Sequence, residues 1–527
     1  MLPALQPVPP EGCGSESGLM GGDGLHTRDG RASARYAALA IGLSLVVYAP
    51  ILRNYFWQDD FLALQYLTNW PLGRFLTMRW AGHLVIVRNA FYAAMYALAG
   101  ANPMPYYVVL LALHAINVGL LFAIVHTVAR SAPLACLAAA VWGTCPINEG
   151  ALGWIAPSGN VMVATTTLAV LYDAVRAVWQ HSRIGCVRAA LWAALLLAGA
   201  QSFGTGLGVA IAAPAALLWL ACGRLTRAAG AVLLGVPIVT AWMYGRDYTE
   251  LTGRFVSSTL VKATLLFDLL AIGMTTLLRG LAYEPEPFDF VFPPNLGPLP
   301  SSLPSMTVLA ALVVVLLWMT ATVWLATGRT RRLLTALAVL ALANYGTIAV
   351  GRAYVVELFH QSVVRWAAQQ RYHYSATAIL AIGLAVTAAT VCRKRLAVWA
   401  PAALLVWLAV FAILYAQTGW TIRHYDAERQ RAERILARID AAIRATPAGE
   451  PVVTYNEPYW DGPHIAGAAS LYVMNRDTDA REVYFVDRAA VAIYRDFPGS
   501  RLARVLVPPP STGVVCREGV TLQSERQ

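Results

Sequence analysis

Three acids and three arginines, each placed beside a long apolar stretch, are the residues whose type and spacing could do chemistry. Asp59 and Asp60 lie in Trp57-Gln58-Asp59-Asp60-Phe61, just past the first apolar stretch. Two carboxylates beside a membrane are costly to desolvate, so a pair at a helix exit faces water and has a use there. Helix capping is the alternative use, one that Asp serves well. Glu149 stands in Pro146-Ile147-Asn148-Glu149, ahead of Gly153-Trp154, at the outer end of another stretch. If the two loops meet, three carboxylates share one cleft, where desolvation and mutual repulsion raise at least one pKa. Asp59, Asp60 and Glu149 would then form a general base or the ligand set of a divalent cation. Arg352 and Arg371 border two late stretches with Arg365 between them, and a guanidinium at the level of lipid headgroups can fork onto a phosphate oxygen. The other reading of Arg371-Tyr372-His373-Tyr374 is an interface anchor. Arg79 and Arg88 are weaker candidates of the same kind.

The elements that hold these residues are set by composition. Of 527 residues, 58% are hydrophobic and 13% charged, about half the share of charge in soluble domains, which is roughly 25%. Apolar runs long enough to cross a bilayer recur along most of the chain. We place eleven spans near 36–52, 106–129, 132–148, 160–179, 188–203, 205–222, 229–246, 305–327, 333–350, 373–392 and 396–416. The fold class is therefore an all-α polytopic membrane protein of about eleven transmembrane helices.

The formal charge of +11 resembles a nucleic-acid signature until it is located. From residue 417 onward there are 14 Arg and 14 acids, so the excess lies earlier, in short clusters between spans. These are Arg28/Arg31/Arg35, Arg130, Arg183/Arg188, Arg224/Arg227, Arg329/Arg331/Arg332 and Arg393/Lys394/Arg395. Clusters so placed are cytoplasmic anchors and exclude a nucleic-acid surface. With the N-terminus inside, all of them fall on one side. Counting the apolar stretch 258–281 as a crossing would put the later clusters outside. It also carries Lys262, Asp268 and Arg279, so it reads as an interfacial or re-entrant helix. The stretch 83–100, with Arg88 inside it, is read the same way. The long loops then all face outward, which is where function is expected.

Residues 1–35 are rich in Gly, Ser and Pro and read as a disordered cytoplasmic leader without a signal peptide. Residues 36–416 form the membrane domain. Residues 417–527 read as a small extracytoplasmic α/β domain: an amphipathic helix over 421–445, then β-like runs at Val452–Tyr455, Leu471–Met474, Val483–Val486 and Leu502–Val507. The seven cysteines have no metal-ligand spacing and read as buried small hydrophobes. His114 and Asn117 share one helix face, a turn apart, as polar residues that tie spans together do. Glu284 and Glu286 belong to a Pro-rich loop. No phosphate-cradling Gly loop, catalytic Ser or Cys arrangement or HExxH site is present.

Asp59-Asp60, then Gly100-Ala101-Asn102-Pro103 before a span with His114 and Asn117, then Pro146-x-x-Glu149 with Trp154, and finally Arg371-Tyr372, follow one another along the chain. Together they resemble the GT-C superfamily of integral-membrane glycosyltransferases, in its protein O-mannosyltransferase-like and TMTC-like branch. The motifs cover residues 45–175 best. The resemblance implies sugar transfer, with inversion, from a polyprenyl-phosphate donor to an envelope glycan, lipid or protein acceptor at the outer face of a bacterial inner membrane. It implies Asp59 or Asp60 as the residue that deprotonates or orients the acceptor, with Glu149 in support. Arg371 or Arg352 would hold the departing phosphate, and His114, Asn117, Trp154 and Tyr372 would support the site. The sequence departs from the family pattern after Trp154, where Ser158 and Asn160 stand in place of an Arg and an Asp. The competing function is a transporter or flippase of lipid-linked glycans, which would place its charges near mid-membrane.

Overall fold

The computed structural model describes residues 23–56, 59–80, 83–254, 257–279, 305–358, 362–393 and 395–418, single positions at 430 and 437, and two strands at 452–455 and 483–486. The chain opens with α1 (Asp23–Tyr48), α2 (Asp59–Asn69) and α3 (Leu72–Leu76). A small antiparallel hairpin, β1 (Arg79–Trp80) with β2 (His83–Leu84), leads to α4 (Ile86–Ala99). Next come α5 (Met104–Ala129), α6 (Ala132–Gly143), α7 (Glu149–Leu152), α8 (Ser158–Trp179), α9 (Cys186–Ala200), α10 (Gly204–Leu220) and α11 (Arg227–Arg254). The later helices are α12 (Thr259–Arg279), α13 (Ser305–Thr320), α14 (Gly328–Leu358), α15 (Val363–Ala367), α16 (Tyr374–Val391) and α17 (Leu396–Thr418). Strands β3 (Val452–Tyr455) and β4 (Val483–Val486) pair in parallel, Val452 opposite Val483.

Among the described residues nine helices are long and apolar enough to cross a membrane. The protein is a multi-pass membrane protein. Eight of the eleven expected spans are among the nine; the other three, α6, α9 and α10, have 12, 15 and 17 residues. Helix α6 stops at Gly143 because Pro146, three residues on, cannot continue the backbone ladder and biases the residue before it to extended geometry. The ninth long helix is α12, where a re-entrant or interfacial segment was expected. It runs unbroken for 21 residues and packs against α13, α14 and α16. Its charges do not oppose this, since Lys262 and Arg279 lie near the ends and Asp268 is turned inward, 5% exposed. Helix α4, by contrast, has 14 residues, about 21 Å of rise against a hydrocarbon core of ~30 Å.

Two further boundaries differ from expectation. Helix α1 begins at Asp23, inside the stretch read as a leader. Helix α14 continues to Leu358, so Arg352 projects from a helix and not from a loop. Of the expected tail, two β-like runs form the β3–β4 pair. The runs at 471–474 and 502–507, most of the 421–445 helix, and Glu284 with Glu286 lie outside the described residues.

Helices α5, α8, α10, α14 and α16 form the interior, with α17 packed on the outside of α6. Small residues let the backbones meet. A Cβ on Gly206 would overlap the Gly199 carbonyl, one on Gly208 the Ala343 carbonyl, and one on Gly159 the Ser202 carbonyl. These contacts draw α8, α9, α10 and α14 together, as small residues do between membrane helices.

A polar cleft where three loops meet

Asp59 and Asp60 form the first turn of α2, where a carboxylate also favours the helix dipole. Their environments differ. Asp60 is fully buried and accepts a 2.7 Å hydrogen bond from the Tyr92 hydroxyl, whereas Asp59 is partly exposed. On α4, Tyr92 stands three residues after Asn89 and four after Arg88, the spacings that bring helix side chains together. The Arg88 Nη2 donates to Asn89 Oδ1 at 2.9 Å, and Asn89 Nδ2 donates to the Phe75 carbonyl at 2.8 Å. The guanidinium lies 5.8 Å from the Tyr92 ring centre. Burial lowers the Arg88 pKa, while Tyr92, Asp59 and Asp60 act to raise it. Burial, then the neighbouring Asp60 charge, pushes the Tyr92 phenol well up. The Tyr66 phenol is likewise pushed up to about 12, by burial and by Asp59.

The second loop is pinned to the first. Asn54 Nδ2 donates to the Gly153 carbonyl at 2.9 Å, and the Tyr107 hydroxyl lies 3.2 Å from that oxygen and 3.1 Å from the Tyr55 carbonyl. Tyr107 is also within electrostatic reach of Asp60. Glu149 opens α7, is partly buried, and lies within electrostatic reach of Tyr48.

The third segment closes on the second. At Gly150 a Cβ would come 2.5 Å from the Arg371 backbone nitrogen, so only glycine lets α7 pack against the Gln370–Tyr372 turn. The Arg371 guanidinium then lies 5.5 Å from the Trp154 ring centre and 5.2 Å from that of Tyr372. Arg352 reaches in from α14, 6.0 Å from the Tyr372 ring. Burial alone would raise the Tyr372 phenol, but Arg352 and Arg371 outweigh it and hold the phenol below its ordinary value. Arg365 is the third of the five residues of α15.

The expectation of three carboxylates at one point is corrected. Among the described residues no group of three or more His, Cys, Asp or Glu is placed to hold a metal ion. Asp60 faces Tyr92 on α4, whereas Glu149 belongs to the loop that packs on Arg371, so Asp59, Asp60 and Glu149 do not make a divalent-cation ligand set. His114 and Asn117 are bundle struts. His114 Nδ1 is 2.7 Å from the Tyr374 hydroxyl and its Nε2 is 2.9 Å from the Gly143 carbonyl. Asn117 Nδ2 donates to the Val161 carbonyl at 3.2 Å and to the Tyr374 hydroxyl at 3.3 Å. They brace the helix that follows Arg371-Tyr372 and lie beneath the cleft.

Sequence reasoning missed Tyr92, Tyr107, Asn54 and Gly150. The Arg88-Asn89-x-x-Tyr92 spacing could have signalled the first of these, but nothing local signals the others, whose partners are 46 to 99 residues away or across a backbone contact. Buried polar atoms without a hydrogen-bond partner among the described residues include Asn54 Oδ1, Asn148 Oδ1, Ser158 Oγ, Asn160 Nδ2 and Gln369 Oε1 in or beside these segments, and Asn117 Oδ1, Thr240 Oγ1, Asn344 Oδ1 and Thr387 Oγ1 within the bundle. Such atoms are few in folded proteins, so a group of them marks a place suited to a polar ligand or water. Ser158 and Asn160 are the two positions at which the sequence leaves the family pattern.

No family model matches the chain, and no curated protein matches it. Two solved structures are similar to it. ArnT from Cupriavidus metallidurans, bound to undecaprenyl phosphate, aligns over 89% of this chain and 89% of its own, with 13% identity and a TM-score of 0.47. The Archaeoglobus fulgidus oligosaccharyltransferase, tethered to an acceptor peptide, aligns over 83% of this chain and 63% of its own, with 12% identity and a TM-score of 0.42. The chain thus spans less than two thirds of the oligosaccharyltransferase. Likenesses at these levels assign neither an activity nor residue roles.

Proposed function

We propose that this protein is a GT-C-type membrane glycosyltransferase that moves a sugar from a polyprenyl-phosphate donor to an acceptor hydroxyl at the outer face of a bacterial inner membrane. The observation that carries the reading is the convergence of Arg352 and Arg371 on Tyr372, against a loop bearing Glu149 and Trp154 that is itself pinned to the Asp59-Asp60 loop. Cationic and acidic groups at one end of an apolar bundle suit a substrate with a lipid tail and an anionic head.

In this reading the acceptor oxygen attacks the anomeric carbon as the bond from that carbon to the phosphate oxygen breaks. The phosphate leaves with the bonding electrons, inverting the anomeric centre, and Arg371 with Arg352 meets the charge that develops on it. The acceptor proton passes to a carboxylate. Asp59 is the better candidate, because Asp60 is sealed behind Tyr92 and cannot reach a substrate without losing that bond. Asp60 is then a positioning residue that fixes α2 on α4. Glu149 orients the acceptor. The acceptor is a glycan, lipid or protein of the envelope.

The test is sugar transfer from a polyprenyl-phosphate donor by the full chain in proteoliposomes. Asp59→Asn is expected to lose at least ~10²-fold in rate, the lower end of a general base's contribution, at unchanged thermal stability. Asp60→Asn is expected to lower stability as well as activity. Wild-type rates in both variants would overturn the assignment. A transporter reading would rest on Asp268, an inward-facing acid near the middle of α12. If that reading holds, Asp268→Asn stops translocation of a labelled lipid-linked glycan and no sugar is transferred by the wild type.

A further inference from the structure

We propose that the end of the bundle opposite the cleft holds a second anion site, in which Arg224, Arg329 and Arg332 grip the phosphate of an acidic membrane lipid around His181. The two ends are far apart. Arg329 and Arg352 are 23 positions apart on the single helix α14, about 35 Å at 1.5 Å per residue.

The residues come from three separate connections, pinned together by backbone. Ile184 N–H donates to the Arg224 carbonyl at 3.0 Å and Thr226 N–H to the Ile184 carbonyl at 3.1 Å. The turn after α8 is thereby joined to the turn after α10. Arg332 Nη1 donates to the Cys222 carbonyl at 3.2 Å and so ties the start of α14 to the same place.

His181 sits between two guanidiniums. Arg224 Nη2 is 2.6 Å from its Nδ1, and Arg329 Nη1 is 3.1 Å from its Nε2. A guanidinium only donates, and a neutral imidazole accepts at one nitrogen only. Whichever tautomer is present, one of these contacts sets N–H against N–H. The cluster is therefore short of one acceptor. Nor do carboxylates supply it: among the described residues Arg224, Arg329 and Arg332 form no ion pair, the nearby pair being Arg188 with Asp173 at 3.0 Å. Their other bonds go to the carbonyls of His181, Val178, Trp179 and Cys222. Three cations pre-set by helix turns, facing an acceptor deficit, are complementary to a phosphate, whose oxygens accept from several guanidiniums at once.

The surroundings indicate where that phosphate comes from. Arg329 lies 5.7 Å from the Trp179 ring centre. Trp219 and Trp324, at the same ends of α10 and the α13–α14 connection, are 50% and 80% exposed on the apolar surface. Exposed tryptophans at helix ends mark the depth of lipid headgroups, and basic pockets between helices at that depth bind anionic ones.

The test uses the purified full chain in a neutral detergent and reads the melting temperature. Dioleoyl phosphatidylglycerol is expected to raise it by on the order of 2–4 °C, and dioleoyl phosphatidylcholine at equal concentration is not. In Arg224→Gln/Arg329→Gln the rise should fall by at least half. A rise of the same size from inorganic phosphate, with ionic strength matched by chloride, would keep the phosphate site and replace its lipid source with a free ion. Equal effects of the two lipids with no effect of phosphate, or an undiminished rise in the double variant, would overturn the site. Native mass spectrometry of the wild type decides independently of any variant: retention of phosphatidylglycerol no greater than of phosphatidylcholine, together with no retained phosphate, also overturns it.

Discussion

Tyr372 is the residue at which charge and burial contend most openly. Burial raises its phenol, and two guanidiniums bring it below the value of 10.0 that free tyrosine has. For an acid with a lowered folded pKa, the linked stability is complete above the unfolded value and fades as pH falls through the folded one. Arg352 and Arg371 thus favour the ionised phenol in the folded protein. A near-ultraviolet titration of the purified protein should contain a tyrosinate step below pH 10 that disappears in Tyr372→Phe. A polyprenyl phosphate bound at the arginines should move that step upward; a step unaffected by both changes would mean that the pair does not face Tyr372. The residue types at this place were legible in the sequence, since Arg371, Tyr372 and Trp154 stand at the ends of apolar stretches. What was not legible is the division of labour between Asp59 and Asp60. It depends on Tyr92, 32 residues from Asp60, and single-residue arguments treat the two neighbours alike.

At the scale of elements, glycine decides whether loops can become one site. Gly150 brings α7 against the Arg371 backbone without a side chain between them. Gly150→Ala must move one segment by several tenths of an ångström or more. The expected result is a fall in transfer rate of ~10²-fold, as for other small misplacements of catalytic groups, with the membrane bundle still folded by circular dichroism. An alanine variant of full activity would show that the α7–Arg371 contact does not matter to the chemistry. Most helices were readable from apolar runs, but their ends were not. Pro146 cuts α6 short of its apolar run, and α14 runs past Arg352 because nothing in Gly351-Arg352-Ala353-Tyr354 breaks a helix that tertiary packing favours. Helix α12 is long and apolar enough to cross. Its charges suggested a helix lying at the interface, yet Asp268 is covered by neighbouring helices, which a single-sequence count of charges cannot reveal.

At the scale of the whole molecule, the positions of charge divide the bundle into two differently equipped ends. One end gathers acids, arginines and unpaired amides; the other gathers arginines around His181, with Asp173 paired to Arg188 nearby. Helix α6 sets the depth of the first end. Its 12 residues rise about 18 Å, while the neighbouring 26-residue α5 rises about 39 Å. Glu149 follows α6 by six residues, so the cleft starts well below the level that α5 reaches. Helix α6 is itself buried between α1, α5 and α17, so the level above its end is filled by the protein's own loop, residues 144–157, and not by lipid. A substrate headgroup has to descend past the level that α5 reaches to meet Glu149.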